Sequence, residues 1–100
     1  MIFAIKTLNT SIEITACYFN DAGEAAAPDT SAKVRVYPAN SDTETVAETN
    51  MTVKDSETGF YKYVWDITSV TAGYYIAFVK FVDAGKTITT QQPILIADTL

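Results

Sequence analysis

The segment from Gly59 to Val82 constrains the fold more than any other part of the chain. It reads Gly-Phe-Tyr-Lys-Tyr-Val-Trp-Asp, then, after a short polar interval, Gly-Tyr-Tyr-Ile-Ala-Phe-Val-Lys-Phe-Val. Each run has strand length, is rich in aromatic and β-branched residues, and opens with a glycine. Side chains alternate between the two faces of a strand. Tyr61, Tyr63 and Trp65 therefore share one face, and Phe60 and Val64 share the other with Lys62. In the second run Tyr75, Ala77, Val79 and Phe81 oppose Tyr74, Ile76, Phe78 and Val82. Both runs are apolar on two faces, although a two-layer domain needs only one apolar face per sheet.

The remaining segments follow the same period. Ile2 to Thr7 reads as a short first strand. Ser11 to Phe19 places Ile12, Ile14, Ala16 and Tyr18 on one face and Glu13, Thr15 and Cys17 on the other. Asn20 to Ser31 is a polar loop, in which Pro28 and turn formers prevent Ala25-Ala-Ala from starting a helix. Lys33 to Tyr37 turns Val34 and Val36 inward and Lys33 and Arg35 outward. Thr43 to Lys54 is more polar and suits one or two edge strands, with Val46, Met51 and Val53 as its buried residues. Asp83-Ala-Gly-Lys is a tight hairpin turn. Thr87 to Ile96 is the last strand, its ladder limited on one side by Pro93. With 48% hydrophobic and 19% charged residues in 100, these segments form one globular domain over residues 1–100. The expected fold is all-β, a sandwich of seven to eight antiparallel strands with immunoglobulin-like connections.

Gly59-Phe-Tyr-Lys-Tyr-Val-Trp followed by Ala72-Gly-Tyr-Tyr-Ile resembles the paired Gly-x-Tyr strands of immunoglobulin-like modules of the macroglobulin or invasin sort. The resemblance implies that Tyr75 sits near a sandwich corner. The order of segments from Thr10 onward, with Tyr-Phe-Asn-Asp-Ala-Gly, Val34-Arg-Val-Tyr, Gly59-Phe-Tyr and Val82-Asp-Ala-Gly-Lys, is also similar to small virion structural proteins of tailed bacteriophages. That likeness implies a capsid decoration or head–tail role. The cysteine pair of antibody-type domains is absent.

The residues argue against catalysis. No histidine is present, which removes the commonest general base and metal ligand. The four glycines stand at 23, 59, 73 and 85, too dispersed to form a phosphate-binding loop. Asp21 with Glu24, and Asp42 with Glu44, are the carboxylate pairs nearest to an acid–base arrangement, but both lie in turn-rich segments open to water. Asn20, Asp21, Glu24 and Asp29, and separately Asn40, Asp42 and Glu44, could supply oxygens to a structural calcium ion. Turn formation accounts for the same residues, and no cofactor or metal is expected. Cys17, the one cysteine, has no base nearby to activate it.

With 12 acidic and 7 basic residues and a net charge of −5, the chain is ill suited to nucleic acid. No segment has the length of a membrane span. Met1-Ile-Phe-Ala-Ile-Lys lacks the basic start of a secretory signal, which points to a protein kept or assembled in a cytoplasm. The expectation is a non-enzymatic structural protein of a virion, a homo-oligomer that joins other virion proteins. Its protein interface would be the outward aromatic face, Phe60, Val64, Tyr74, Ile76 and Phe78, together with the terminal strands. A one-residue slip in register would exchange the two faces. The alternative is a cell-surface or secreted adhesin-type module with a protein or carbohydrate ligand, for which Trp65 or Tyr63 would be the stacking residue.

Overall fold

A computed structural model describes residues 2–99. Among them the chain forms eight strands and no helix. These are β1 (Ile2–Ile5), β2 (Ser11–Cys17), β3 (Ser31–Pro38), β4 (Val46–Asn50), β5 (Thr52–Val53), β6 (Phe60–Asp66), β7 (Gly73–Asp83) and β8 (Lys86–Ala97). They pair into a five-stranded sheet, ordered β1-β8-β7-β3-β4, and a three-stranded sheet, ordered β2-β6-β5. The expected antiparallel set needs one correction. β1 runs parallel to β8, with Ile2 opposite Ile94 and Ile5 opposite Ala97; the two strands are far apart in sequence, so no hairpin turn imposes an antiparallel match.

The inward faces are those the alternation predicts. Ile12, Ile14, Val34, Val36, Trp65, Tyr75, Ala77, Val79, Phe81, Ile94 and Ile96 are all buried. Aromatic rings join the two sheets. Trp65 meets Tyr75 edge-on at 5.4 Å, and Phe81 lies 5.4 Å from Tyr18 and 5.8 Å from Tyr61. Each such side chain contributes about 2–3 kcal/mol through burial, and edge-to-face geometry adds to that. Tyr75 also donates its hydroxyl to the Thr71 carbonyl at 2.5 Å, fixing the turn that leads into β7.

The weak stretch from Thr43 to Lys54 resolves into two strands in different sheets, β4 pairing with β3 and β5 with β6. Met51 stands between them, 7% exposed, with its N–H bonded to the Ala32 carbonyl. The chain changes sheets at this one buried side chain. Val53, expected inside, is 48% exposed at the sheet edge. The β7–β8 hairpin turns through Ala84 and Gly85, with φ of 51° and 77°, the two positive values that a tight type I′ turn demands.

Candidate interaction surface

The outward face of the five-stranded sheet carries several adjoining rows of apolar residues. Its rows follow from strand register. Phe3 on β1 lies opposite Leu95 on β8, and Leu95 lies opposite Tyr74 on β7. In the next row Pro93, Ile76 and Tyr37 are neighbours across β8, β7 and β3. Phe78 follows, between Gln91 and Arg35. Tyr74 is 61% exposed and Phe3 55%, so the first row is open to solvent. Tyr37 and Phe78 meet edge-on at 5.6 Å, and the Arg35 guanidinium stands 5.7 Å above the Tyr37 ring.

Charge bounds the patch at one end. Lys33 and Lys80 are directly opposed across β3 and β7, a like-charge pair that would be unfavourable alone. The Glu48 carboxylate on β4 lies 3.0 Å from Lys80 and 3.6 Å from Lys33, relieving that repulsion. Its hydrogen bond to Lys80 holds the Glu48 carboxyl below the usual carboxylate range. The surface is thus an aromatic and aliphatic field with a cationic border, in an otherwise acidic chain.

The five residues expected to form one interface do not share a face. Tyr74, Ile76 and Phe78 lie together on the five-stranded sheet. Phe60 and Val64 lie on the three-stranded sheet, opposite Cys17 and Glu13. Because both strands turn their other face into the common core, the two sets point away from each other on opposite sides of the sandwich. The residues that do adjoin Tyr74, Ile76 and Phe78 include Phe3, Tyr37, Pro93 and Leu95. Tyr37 continues the outward series of Lys33 and Arg35 on β3, and nothing in the local sequence places β3 beside β7.

Trp65 is 4% exposed and packs on Tyr75, so no sugar can stack on it. Among the described residues no three His, Cys, Asp or Glu side chains converge on a common point that could hold a metal ion. In the first acidic loop the Asn20 Oδ1 accepts from the N–H groups of Ala22 and Glu24, and the Asp29 carboxylate accepts from Ala84 and Thr30. The Asn20 and Thr30 bonds are local turn bonds, whereas the Ala84 bond joins this loop to the β7–β8 hairpin. Asp21 and Glu24 remain exposed, Asp21 pairing with Lys86 at 3.3 Å. Cys17 is half-buried beside Phe60 on the outer side of the three-stranded sheet.

No family model and no curated protein sequence matches the chain. Among solved structures, the endo-β-1,4-mannanase from Thermotoga petrophila superimposes with a TM-score of 0.65 at 16% identity. The alignment covers 97% of this chain and 18% of the mannanase chain. The likeness is one of fold. Nearly the whole of this domain corresponds to a small part of that larger protein.

Proposed function

We propose that this chain is a non-enzymatic assembly module, an immunoglobulin-like β-sandwich that joins structural proteins through the outward face of its five-stranded sheet. The immunoglobulin-like reading draws support from the strand order and from the Tyr75 hydroxyl bonded back to Thr71 at the entrance to β7, as in a tyrosine corner. The observation that carries the functional reading is the unbroken apolar field from Phe3 through Leu95, Tyr74, Ile76 and Tyr37 to Phe78. A contiguous exposed apolar patch, bordered here by charge at one end, commonly marks a protein interface. Its specific form is a bacteriophage virion component, a capsid decoration or head–tail protein, which rests on the similarity of segment order to such proteins.

The test compares wild type with Phe78→Asp and Tyr74→Asp, measuring solution mass by light scattering and co-sedimentation with assembled particles. Circular dichroism verifies that each variant is folded; Tyr74 is exposed enough that its replacement leaves the core intact. Loss of assembly or particle binding in both variants is expected. Unchanged behaviour in folded variants would refute the interface.

A second reading, an adhesin-type binding module belonging to a larger surface or secreted protein, has one observation in its favour. The fold matches a fraction of a longer chain, the mannanase. Binding of a soluble protein or glycan by the monomer, abolished by Tyr74→Asp, would select it over the virion role.

A further inference from the structure

One lateral side of the sandwich is left open. β2 is the outermost strand of the three-stranded sheet, and β8 has β1 beside it only from Ile94 to Ala97. The Lys6 N–H donates to the Ala97 carbonyl, so odd-numbered residues of β8 direct their backbone groups away from β7. By the alternation of an antiparallel ladder, Thr87, Thr89 and Gln91 present free N–H and C=O groups at the sheet edge. Ile88 points to the inner side yet remains 46% exposed, because no strand of the other sheet covers it. A groove of about 370 Å3 lies beside it, with Phe81 and Phe19 in its wall. Across the gap the Gln92 side-chain amide donates to the Thr15 carbonyl.

Exposed edges are ordinarily guarded by charge, proline, a bulge or shortness. This one has such guards only at the two ends of its free length, Lys86 and Pro93, and none between them. No charged residue occurs between Lys86 and Asp98, and the β7–β8 register runs unbroken. Pro93 comes only where β1 takes over, and its missing N–H ends the β1 ladder there.

We propose that β8 pairs antiparallel with β8 of a second copy of this chain, about a twofold axis at Thr89. The inference deepens the assembly reading and rests on it, but uses a different surface. The axis sets Thr89 opposite its symmetry mate and Thr87 opposite Gln91 of the second copy, so every free edge group finds a counterpart. Ile88 falls opposite Thr90 of the second copy, a pairing of β-branched side chains that covers its exposed surface. Lys86 falls opposite Gln92, and no like charges meet, which matters in a chain of net charge −5. Gly85 and Pro93 bound the paired run symmetrically. A strand from another protein would gain the same backbone ladder without this self-matching of ends and charge, so a second copy is the occupant that fits.

The experiment is light scattering of the full chain across a concentration series, on wild type, Thr89→Lys, Thr89→Glu, an equimolar mixture of those two, and Phe78→Asp. Thr89 is exposed and directs its side chain to the outer face, and circular dichroism verifies folding. Wild type is expected as a dimer. Each Thr89 variant sets like charges opposite each other on the axis and raises the dissociation constant by about tenfold; the mixture sets opposite charges there and recovers the dimer. A monomeric wild type, a Thr89→Lys variant with wild-type mass, or a mixture that stays monomeric would each overturn the proposal. Dissociation by Phe78→Asp but not by Thr89→Lys would also overturn it, while leaving the aromatic face as the seam. Dissociation by Thr89→Lys but not by Phe78→Asp would support the edge as the seam between copies, and co-sedimentation of Phe78→Asp with assembled particles would then decide the aromatic face.

Discussion

The carboxylates of Asp29 and Asp83 are crossed by two hydrogen bonds from backbone N–H groups, one from Asp29 and one from Ala84. The Asp29 N–H donates to Asp83 Oδ1 at 2.9 Å, while Asp29 Oδ1 accepts from the N–H of Ala84, the residue after Asp83, at 3.0 Å. The second oxygen of Asp83 accepts the Tyr18 hydroxyl at 2.7 Å. Each carboxylate is therefore occupied by donors and does not face the other bare. The result ties the loop before β3 and the end of β2 to the tip of the β7–β8 hairpin, so the long hairpin is held at its far end.

This clasp gives stability a definite pH dependence. The Tyr18 hydroxyl and the Asp29 N–H hold the Asp83 carboxyl below the usual aspartate range. Its contribution is complete above the unfolded value of about 3.9 and is lost as pH falls through the lower folded value. Tyr18 behaves in the opposite sense. Its hydrogen bond to Asp83, with burial, pushes it up to about 12. Its contribution is complete below about 10 and is lost as pH rises through the folded value. Thermal melts from acid to alkaline pH are expected to fall at both ends in wild type. Asp83→Asn should flatten the acid limb, and Tyr18→Phe the alkaline one. Superimposable pH profiles for all three proteins would contradict the clasp.

Gly59 cannot accept a side chain. Its φ is +85°, and a Cβ placed there would lie 2.7 Å from the Ala26 N and 3.0 Å from the carbonyl oxygens of Ala26 and Tyr18. Gly59→Ala should cost about 2–4 kcal/mol, from the left-handed backbone together with that collision. Gly23 has a similar φ of +79° but open space around its Cα, so Gly23→Ala should cost only about 1 kcal/mol. Urea unfolding of the two variants measures the difference. Equal losses would mean that backbone conformation alone decides.

Ala84 is the reverse case. It holds φ 51° in the first central position of the hairpin turn without being glycine or asparagine. Ala84→Asn would complete an Asn-Gly pair suited to this turn and keep the N–H that Asp29 accepts. The expected gain is about 0.5–1 kcal/mol, read as a higher urea midpoint with an unchanged slope.

The inward faces of the longer strands were legible from period-two alternation, whereas Val53 on the short β5, expected inside, is exposed. Tyr61 and Trp65 on β6 and Tyr75, Val79 and Phe81 on β7 lie inside as the sequence pattern requires. What the pattern could not hold was the identity of each strand's neighbour. A strand's period reports which side is apolar, whereas sheet membership depends on connections and contacts distant in sequence. Phe60 and Tyr74 are equally outward by that pattern, yet they belong to opposite sheets. The same gap hid Phe3, which joins the aromatic field only because β1 lies against β8. Met51 illustrates a further limit. Its burial was readable, but its role as the crossing point between sheets depends on β4 and β5 pairing with different partners.

The parallel pairing of β1 with β8 decides how the domain bears tension. The beginning of β1 and the end of β8 lie at opposite ends of their shared ladder, so a pull on the two ends of the domain slides one strand along the other. All the ladder's bonds are then loaded together in shear, rather than opened singly like a zipper. Resistance to stretching is thus concentrated in the short match of Ile2–Ile5 with Ile94–Ala97, and the core behind it stays shielded until that match gives way.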